Sequence, residues 1–405
     1  MSISPVSAAS AGGASSVDRT RWTYIGLLLA CGMGAAMQIG KAPPALAAVQ
    51  RDLHLGLVAA AWVISMFSVA GATFGSLAGS VVDRIGPRRA AVAGLLCMAA
   101  ASLLGACAPQ TAALLASRAL EGMAFVIVVV AIPSLLSASA SATDRRFVPA
   151  LWGTYMPCGM AIAMATAPAV LHAWGWRPLW QLDAGVLAAL AVVLWLAPAP
   201  AVLVRGRALP TFTQLLRSVW HPGPVLLGVI FACYTWQYLS VMGFLPTILR
   251  AQGVAPQAAG ALSALAVLAN AAGNLAASAL VARGITPRRL VACACIIMTL
   301  AAVGIFLTAL PPTLRYLFAV TLSGVGGLVP ASLFALVPRV AQDRESTATT
   351  MGFVVQCSHV GQLAGPPVMA TVAAAAGGWQ LSALVLVPAA LAAWTAARVL
   401  RGVPH

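Results

Sequence analysis

The sequence predicts an all-α membrane protein with twelve transmembrane helices in two pseudo-symmetric six-helix bundles. Three observations carry that expectation. Hydrophobic residues make up 61% of the 405-residue chain and charged residues 8%, against about 25% charged in soluble domains. Apolar stretches of about 20 residues, the length that crosses a bilayer, recur along the whole chain. Pro87-Arg88-Arg89 returns as Pro287-Arg288-Arg289, 200 residues on, each time just after the second span of a half.

Taken in order, the apolar segments lie near 22–41, 57–82, 90–108, 111–136, 147–171 and 179–197, then near 224–249, 257–281, 290–310, 314–337, 347–375 and 380–400. Pro44 is expected to end the first span and Pro246 its counterpart, the seventh. Residues 1–21, rich in Ser, Ala and Gly, read as a disordered N-terminus. Residues 198–223 carry Arg205, Arg207 and Arg217 between prolines and read as the linker between bundles 22–197 and 224–400, with 401–405 as a tail. Paired six-helix bundles are a transporter plan, with substrate held between them near the midplane.

The net charge of +15 is distributed by topology. Lys41, Arg51, Arg177, Arg250 and Arg315 fall in one alternate set of loops, Arg118 lies in a helix, and the other 17 basic residues sit at the termini or in the opposite loops. This positive-inside pattern places both termini in the cytoplasm and the protein, multi-pass, in the inner membrane among its lipids. No basic face interleaved with aromatics suggests nucleic-acid binding. The eight cysteines, including Cys31 after Leu28-Leu29-Ala30, fall within or beside apolar segments and read as small fillers, with no metal-ligand spacing. No cofactor is expected. No phosphate-cradling loop followed by Lys is present, which excludes ATP-driven pumping by this chain alone.

Arg118 and Glu121 stand three apart inside an apolar helix, followed by Gly122. Charge at membrane depth is costly and usually functional, and this spacing puts both side chains on one helix face. Two readings of Arg118 stay open, a role in transport and bonding to neighbouring carbonyls. Glu121 either carries a proton or neutralises Arg118. Glu121 is read as the one deep carboxylate, and Asp183 as a capping or locally paired residue near the outer surface.

Residues 79–89 read Gly79-Ser-Val-Val-Asp83-Arg84-Ile-Gly86-Pro-Arg88-Arg89. Gly79 permits close backbone approach and Gly86-Pro87 a sharp turn, while the arginines favour an anionic membrane surface. This stretch resembles the loop signature of the major facilitator superfamily, with every specified position filled. Arg118-Ala-Leu-Glu121-Gly122 is similar to that superfamily's fourth-helix motif, with Glu in the usual Gln position. The fifth helix keeps a damaged exporter-type motif, Gly153-x-x-x-Pro157-x-Gly159, and the eleventh carries Gly361-x-x-x-Gly365-Pro366-Pro367. For these two, small-residue packing with proline kinks is the plainer reading.

The resemblance implies a monomeric transporter, a cytoplasmic gate at Gly79, Asp83, Arg84, Gly86, Arg88 and Arg89, and proton coupling or anion binding at Arg118. It also implies a cavity lined by the first, fourth, seventh and tenth helices. The polar residues there are Gln38, Arg118, Glu121, Tyr234, Trp236, Gln237, Tyr238 and Ser323. Asn270 and Asn274 on the eighth helix and Gln356, His359 and Gln362 on the eleventh add to them. Aromatic rings beside amides suit an amphipathic organic substrate.

These features lead to a proton-coupled secondary transporter that exports a small amphipathic metabolite, a drug or a siderophore. General likeness to siderophore exporters of the alcaligin type points the same way. The alternative is import of a small anion such as cyanate, with Arg118 as the anion site. An intramembrane enzyme or a non-transporting sensor is disfavoured, because no Ser/His, paired Asp or metal constellation is readable at membrane depth.

Overall fold

The computed structural model describes residues 19–198, 200, 219–341 and 346–400. The expected N-terminal segment up to residue 18, most of the linker and the tail 401–405 lie outside the described residues. All regular elements among the described residues are helical.

The first half consists of α1 (Trp22–Gly40), α2 (Ala42–Asp52), α3 (Leu57–Ser65), α4 (Val69–Phe74), α5 (Ala78–Ile85), α6 (Pro87–Ala106), α7 (Thr111–Ser139), α8 (Val148–Trp152), α9 (Tyr155–Ala173) and α10 (Trp176–Leu196). The second consists of α11 (Pro222–Ala251), α12 (Pro256–Ala282), α13 (Pro287–Phe306), α14 (Pro312–Gly326), α15 (Leu328–Val340), α16 (Ser346–Ala375) and α17 (Ala383–Val399). Ten helical runs among the described residues are long and apolar enough to span a membrane, and α17 is a shorter apolar helix. The 30-residue α16 supplies the remaining span. Its Gln356, His359 and Gln362 dilute its hydropathy, because part of it faces protein rather than lipid.

Two expected boundaries are corrected. The first span does not stop at Pro44: α1 passes through Lys41, itself in right-handed helical conformation, into α2, and the run reaches Asp52. Pro43 and Pro44 occupy the first turn of α2, where a missing backbone N–H costs little. Pro246 lies inside α11 rather than at its end.

Helix packing repeats between the halves. In the first, α1 lies on α9, α6 on α7, and α10 on α6. In the second, α11 lies on α16, α13 on α14, and α17 on α13. The halves meet where α9 packs on α12 and where α16 packs on α3 and α4, two contacts exchanged by the same pseudo-two-fold relation. Small residues permit the approaches. A Cβ on Gly159 would fall 2.2 Å from the Met33 carbonyl oxygen, and one on Gly361 would fall 2.0 Å from that of Ala232. The glycine motifs of the fifth and eleventh spans are therefore helix-packing sites here, one per half.

Candidate functional site

The second span is broken by 3-10 turns at Met66–Ser68 and Gly75–Leu77. The first break lies directly against Gly122, where a Cβ would be 1.6 Å from the Phe67 carbonyl oxygen. Glycine after Glu121 thus lets the second span press onto the fourth, beside the charged pair. Phe67 meets Phe125 edge-on at 5.1 Å between ring centroids, which fixes the wall of the site.

Arg118 and Glu121 are completely buried and form an ion pair along α7. Arg118 also donates from Nε to the Val63 carbonyl at 3.0 Å and from Nη1 to the Gln38 carbonyl at 2.8 Å. Its guanidinium lies 4.8 Å from the Phe67 ring centre. Both readings of Arg118 hold together in this geometry: it ties carbonyls of the first two spans, and it also holds the carboxylate.

Lys41, expected in an outer loop, is instead completely buried. Its ammonium reaches Glu121 Oε1 at 2.9 Å and Ser102 Oγ at 2.7 Å, and it bonds the Gln38 side-chain oxygen. It also lies 4.6 Å from the Trp180 ring centre. Ser102 in turn donates to the Trp180 carbonyl at 2.8 Å. Each Glu121 oxygen therefore receives one cation, Lys41 on one side and Arg118 on the other. The physical reason for the correction is that a lone buried charge is prohibitive, and the acid on α7 gives Lys41 a partner.

Asp183 is corrected as well. It is 4% exposed, seven residues inside α10, with Oδ2 buried and without a hydrogen-bond partner. Lys41, Glu121 and Arg118 all act on it electrostatically. Glu121 is thus not the only deep carboxylate. Two cations and two carboxylates from the first, fourth and sixth spans share the interior of the first half. Gln38, expected in the cavity, belongs to this cluster, and its Nε2 is unpartnered.

Among the described residues, the second half buries no such cluster of cations and carboxylates. Asn270 Nδ2 donates to the Tyr234 hydroxyl at 2.9 Å and to the Ser323 carbonyl at 2.8 Å. Asn274 bonds Asn270 Oδ1 at 3.0 Å. Tyr238 stacks on Tyr234 at 5.8 Å, and Phe231 continues the stack at 6.1 Å. Gln237 donates to the Cys233 carbonyl at 3.2 Å, and its Oε1 is buried without a partner. Trp236 does not join them: it donates to the Val385 carbonyl on α17 at 3.2 Å.

Gln356, His359 and Gln362 sit at the seam between the halves. Gln356 donates to the Ala72 carbonyl at 2.8 Å, and Ser68 donates to Gln362 Oε1 at 3.1 Å. The buried His359 ring occupies space that a Cβ on Gly71 would need, 2.4 Å away.

In the candidate gating loop, Gly86 has φ +90° and turns the chain between α5 and α6 as expected. Arg88 donates to the terminal carbonyls of α10, at 3.3 Å to Leu194 and 2.7 Å to Ala197, and also to Trp195. Asp83, Arg84 and Arg89 are exposed and join no ion pair among the described residues. A Cβ on Gly79 would meet nothing within 4 Å, so the close approach expected there is not made. At the opposite end, Asp52 accepts from Trp176 Nε1 at 3.0 Å and pairs with Arg177, which also donates to the Ala108 carbonyl at 3.1 Å.

Comparison with known proteins agrees with this architecture. The chain is 29% identical to the cyanate transport protein CynX of Escherichia coli strain K12 over 297 residues, 69% of this chain and 73% of that one. It is 28% identical to the puromycin resistance protein pur8 of Streptomyces alboniger over 192 residues, 47% of this chain and 38% of the relative. The nucleoside transporter NupG superposes with a TM-score of 0.77 at 13% identity, covering 93% of this chain and 99% of that one. The E. coli fucose:proton symporter FucP superposes at 0.66 and 14%, covering 94% and 99%. These structural likenesses bear on the fold alone. The Major Facilitator Superfamily profile matches residues 26–366 and, in a second match, 225–405, and this multi-pass membrane chain belongs to that superfamily.

Proposed function

We propose that this protein is a proton-coupled secondary active transporter of the inner membrane, with both termini cytoplasmic, and that it exports a small amphipathic metabolite. The observation that carries the coupling is the buried Glu121 carboxylate held between Lys41 and Arg118. Protonating Glu121 removes one negative charge from an enclosed site, where charge imbalance is expensive. The two cations must then find other counter-charges, which biases how the first two spans, the fourth and the sixth sit together. Export is supported by the stacked Tyr234 and Tyr238 beside the amides of Asn270 and Gln237, which suit an amphipathic solute, and by the partial match to a drug-resistance protein. A siderophore is one member of that solute class.

A second reading, proton-linked movement of a small anion, is favoured by the match to a cyanate transport protein over most of its length. In that reading Arg118 and Lys41 turn to the anion once a carboxylate is protonated.

The deciding experiment compares small molecules inside cells and in the medium, deletion strain against parent, in iron-replete and iron-starved growth. A solute that accumulates inside the mutant and is depleted outside supports export. A nutrient left unconsumed in the mutant's medium reverses the direction.

A further inference from the structure

We propose that Asp183 is a second protonation site of the buried network, and that the Lys41 ammonium moves between Glu121 and Asp183 as they exchange protonation states. The inference rests on the proton-coupled reading above and deepens it.

The geometry brings the parts together. Trp176, Trp180 and Asp183 repeat on one face of α10, a face turned into the bundle, and all three are buried. Lys41 lies over the Trp180 ring at 4.6 Å and is tethered to the Trp180 carbonyl through Ser102. The ammonium therefore already touches the helix that carries Asp183, one turn away. Asp183 Oδ2 is buried with no hydrogen-bond partner. A carboxylate in that condition either binds a proton or waits for a cation to reach it. Lys41 has the long, flexible stem that such a move requires, which the planar, triply anchored Arg118 lacks.

The surrounding groups leave few competitors. On the helices packed against α10, the charged groups acting on Asp183 are Lys41, Glu121 and Arg118. Asp52 and Arg177 pair with each other at the start of α10, and Arg88 is bound to its last carbonyls. In the exchange, a proton entering the network adds to Glu121, Asp183 releases the proton it held, and Lys41 keeps its own proton and shifts to the ionised Asp183. Loss of a proton from Glu121 draws Lys41 back, and Asp183 then takes up a proton. Each state holds the cation beside an ionised carboxylate, so no step strands a charge.

The test titrates purified protein reconstituted in lipid and reads the protonated-carboxyl carbonyl stretch in pH-difference infrared spectra, which needs no substrate. Wild type is expected to show two buried titrating carboxyls. Asp183→Asn should lose one and shift the other, and Asp183→Glu should restore two. Glu121→Gln should likewise leave one, now moved in pH. Lys41→Met should raise the pH at which the Asp183 band appears, which keeps the test decisive if Asp183→Asn does not fold. Spectra unchanged by Asp183→Asn, or an Asp183 band indifferent to Lys41→Met, overturn the inference. If wild-type proteoliposomes move solute with no dependence on a pH gradient, the coupling reading itself fails. If that dependence holds while Asp183 proves silent, only this inference fails.

Discussion

The first and second halves pack their helices alike, yet among the described residues one encloses a cluster of acids and bases and the other a cluster of amides, hydroxyls and aromatic rings. In the first half, Lys41, Arg118, Glu121 and Asp183 are enclosed, with Arg118 and Lys41 at 0% exposure. In the second, the corresponding interior holds Tyr234, Asn270 and Ser323 joined by neutral hydrogen bonds, with Tyr238 stacked on Tyr234. Shared packing with divided chemistry teaches that the fold does not require the charges. Glycine approaches such as Gly159 on Met33 and Gly361 on Ala232 serve both halves equally. Stability common to the halves comes from close packing, and the charge network is an addition to one of them. That asymmetry is the reason to place coupling in the first half and solute recognition toward the second.

The sharpest way to break the comparison is to remove one charge. Arg118→Ala should destabilise the protein by about 3–5 kcal/mol, because it leaves Glu121 and Asp183 facing Lys41 alone; thermal unfolding in detergent measures it. A variant no less stable than wild type would mean that the charges are solvated and the enclosed network is wrong. Next in size, Gly159→Val and Gly361→Val should each reduce folded yield strongly and to a similar extent, since each drives a side chain into a carbonyl. Unequal losses in size-exclusion profiles would show that the halves do not share their packing logic.

A smaller effect is expected from Tyr234→Phe. It removes the hydroxyl that accepts from Asn270, at a cost of about 1 kcal/mol. Transport should keep its pH profile and change its apparent affinity for solute. A shifted pH profile would carry coupling into the second half. Smallest is Arg177→Met, which breaks a pair with Asp52 that is about 40% exposed at both side chains. A loss of less than about 1 kcal/mol is expected in the same unfolding assay.

Much of the fold is legible in composition and periodicity, because lipid leaves the chain few alternatives to apolar helices. Arg118 and Glu121 were legible because two charges three apart in an otherwise apolar run lie on one helix face, where they can pair. Lys41 was not, because Gly40, Lys41, Pro43 and Pro44 together read as a loop. The available signal was that proline is tolerated in a helix's first turn, so the run 22–52 can continue. Asp183 was hidden by its nearness to the start of a span, yet it follows Trp176 and Trp180 on one buried face. The Lys41–Glu121 partnership cannot be read from spacing in sequence, since the two are 80 residues apart and meet only through tertiary packing. Gln356 and Gln362 show the converse. Their polarity was legible, but a bond from Gln356 to the Ala72 carbonyl across the seam was not.

The most direct measurement is flux of the solute found by the deletion-strain comparison in proteoliposomes carrying an imposed pH gradient, wild type beside Glu121→Gln and Tyr234→Phe. Wild type and Tyr234→Phe are expected to accelerate with the gradient, and Glu121→Gln to transport at a rate independent of it while remaining folded. A Glu121→Gln protein that still follows the pH gradient as wild type does would contradict the placement of coupling in the buried charges of the first half.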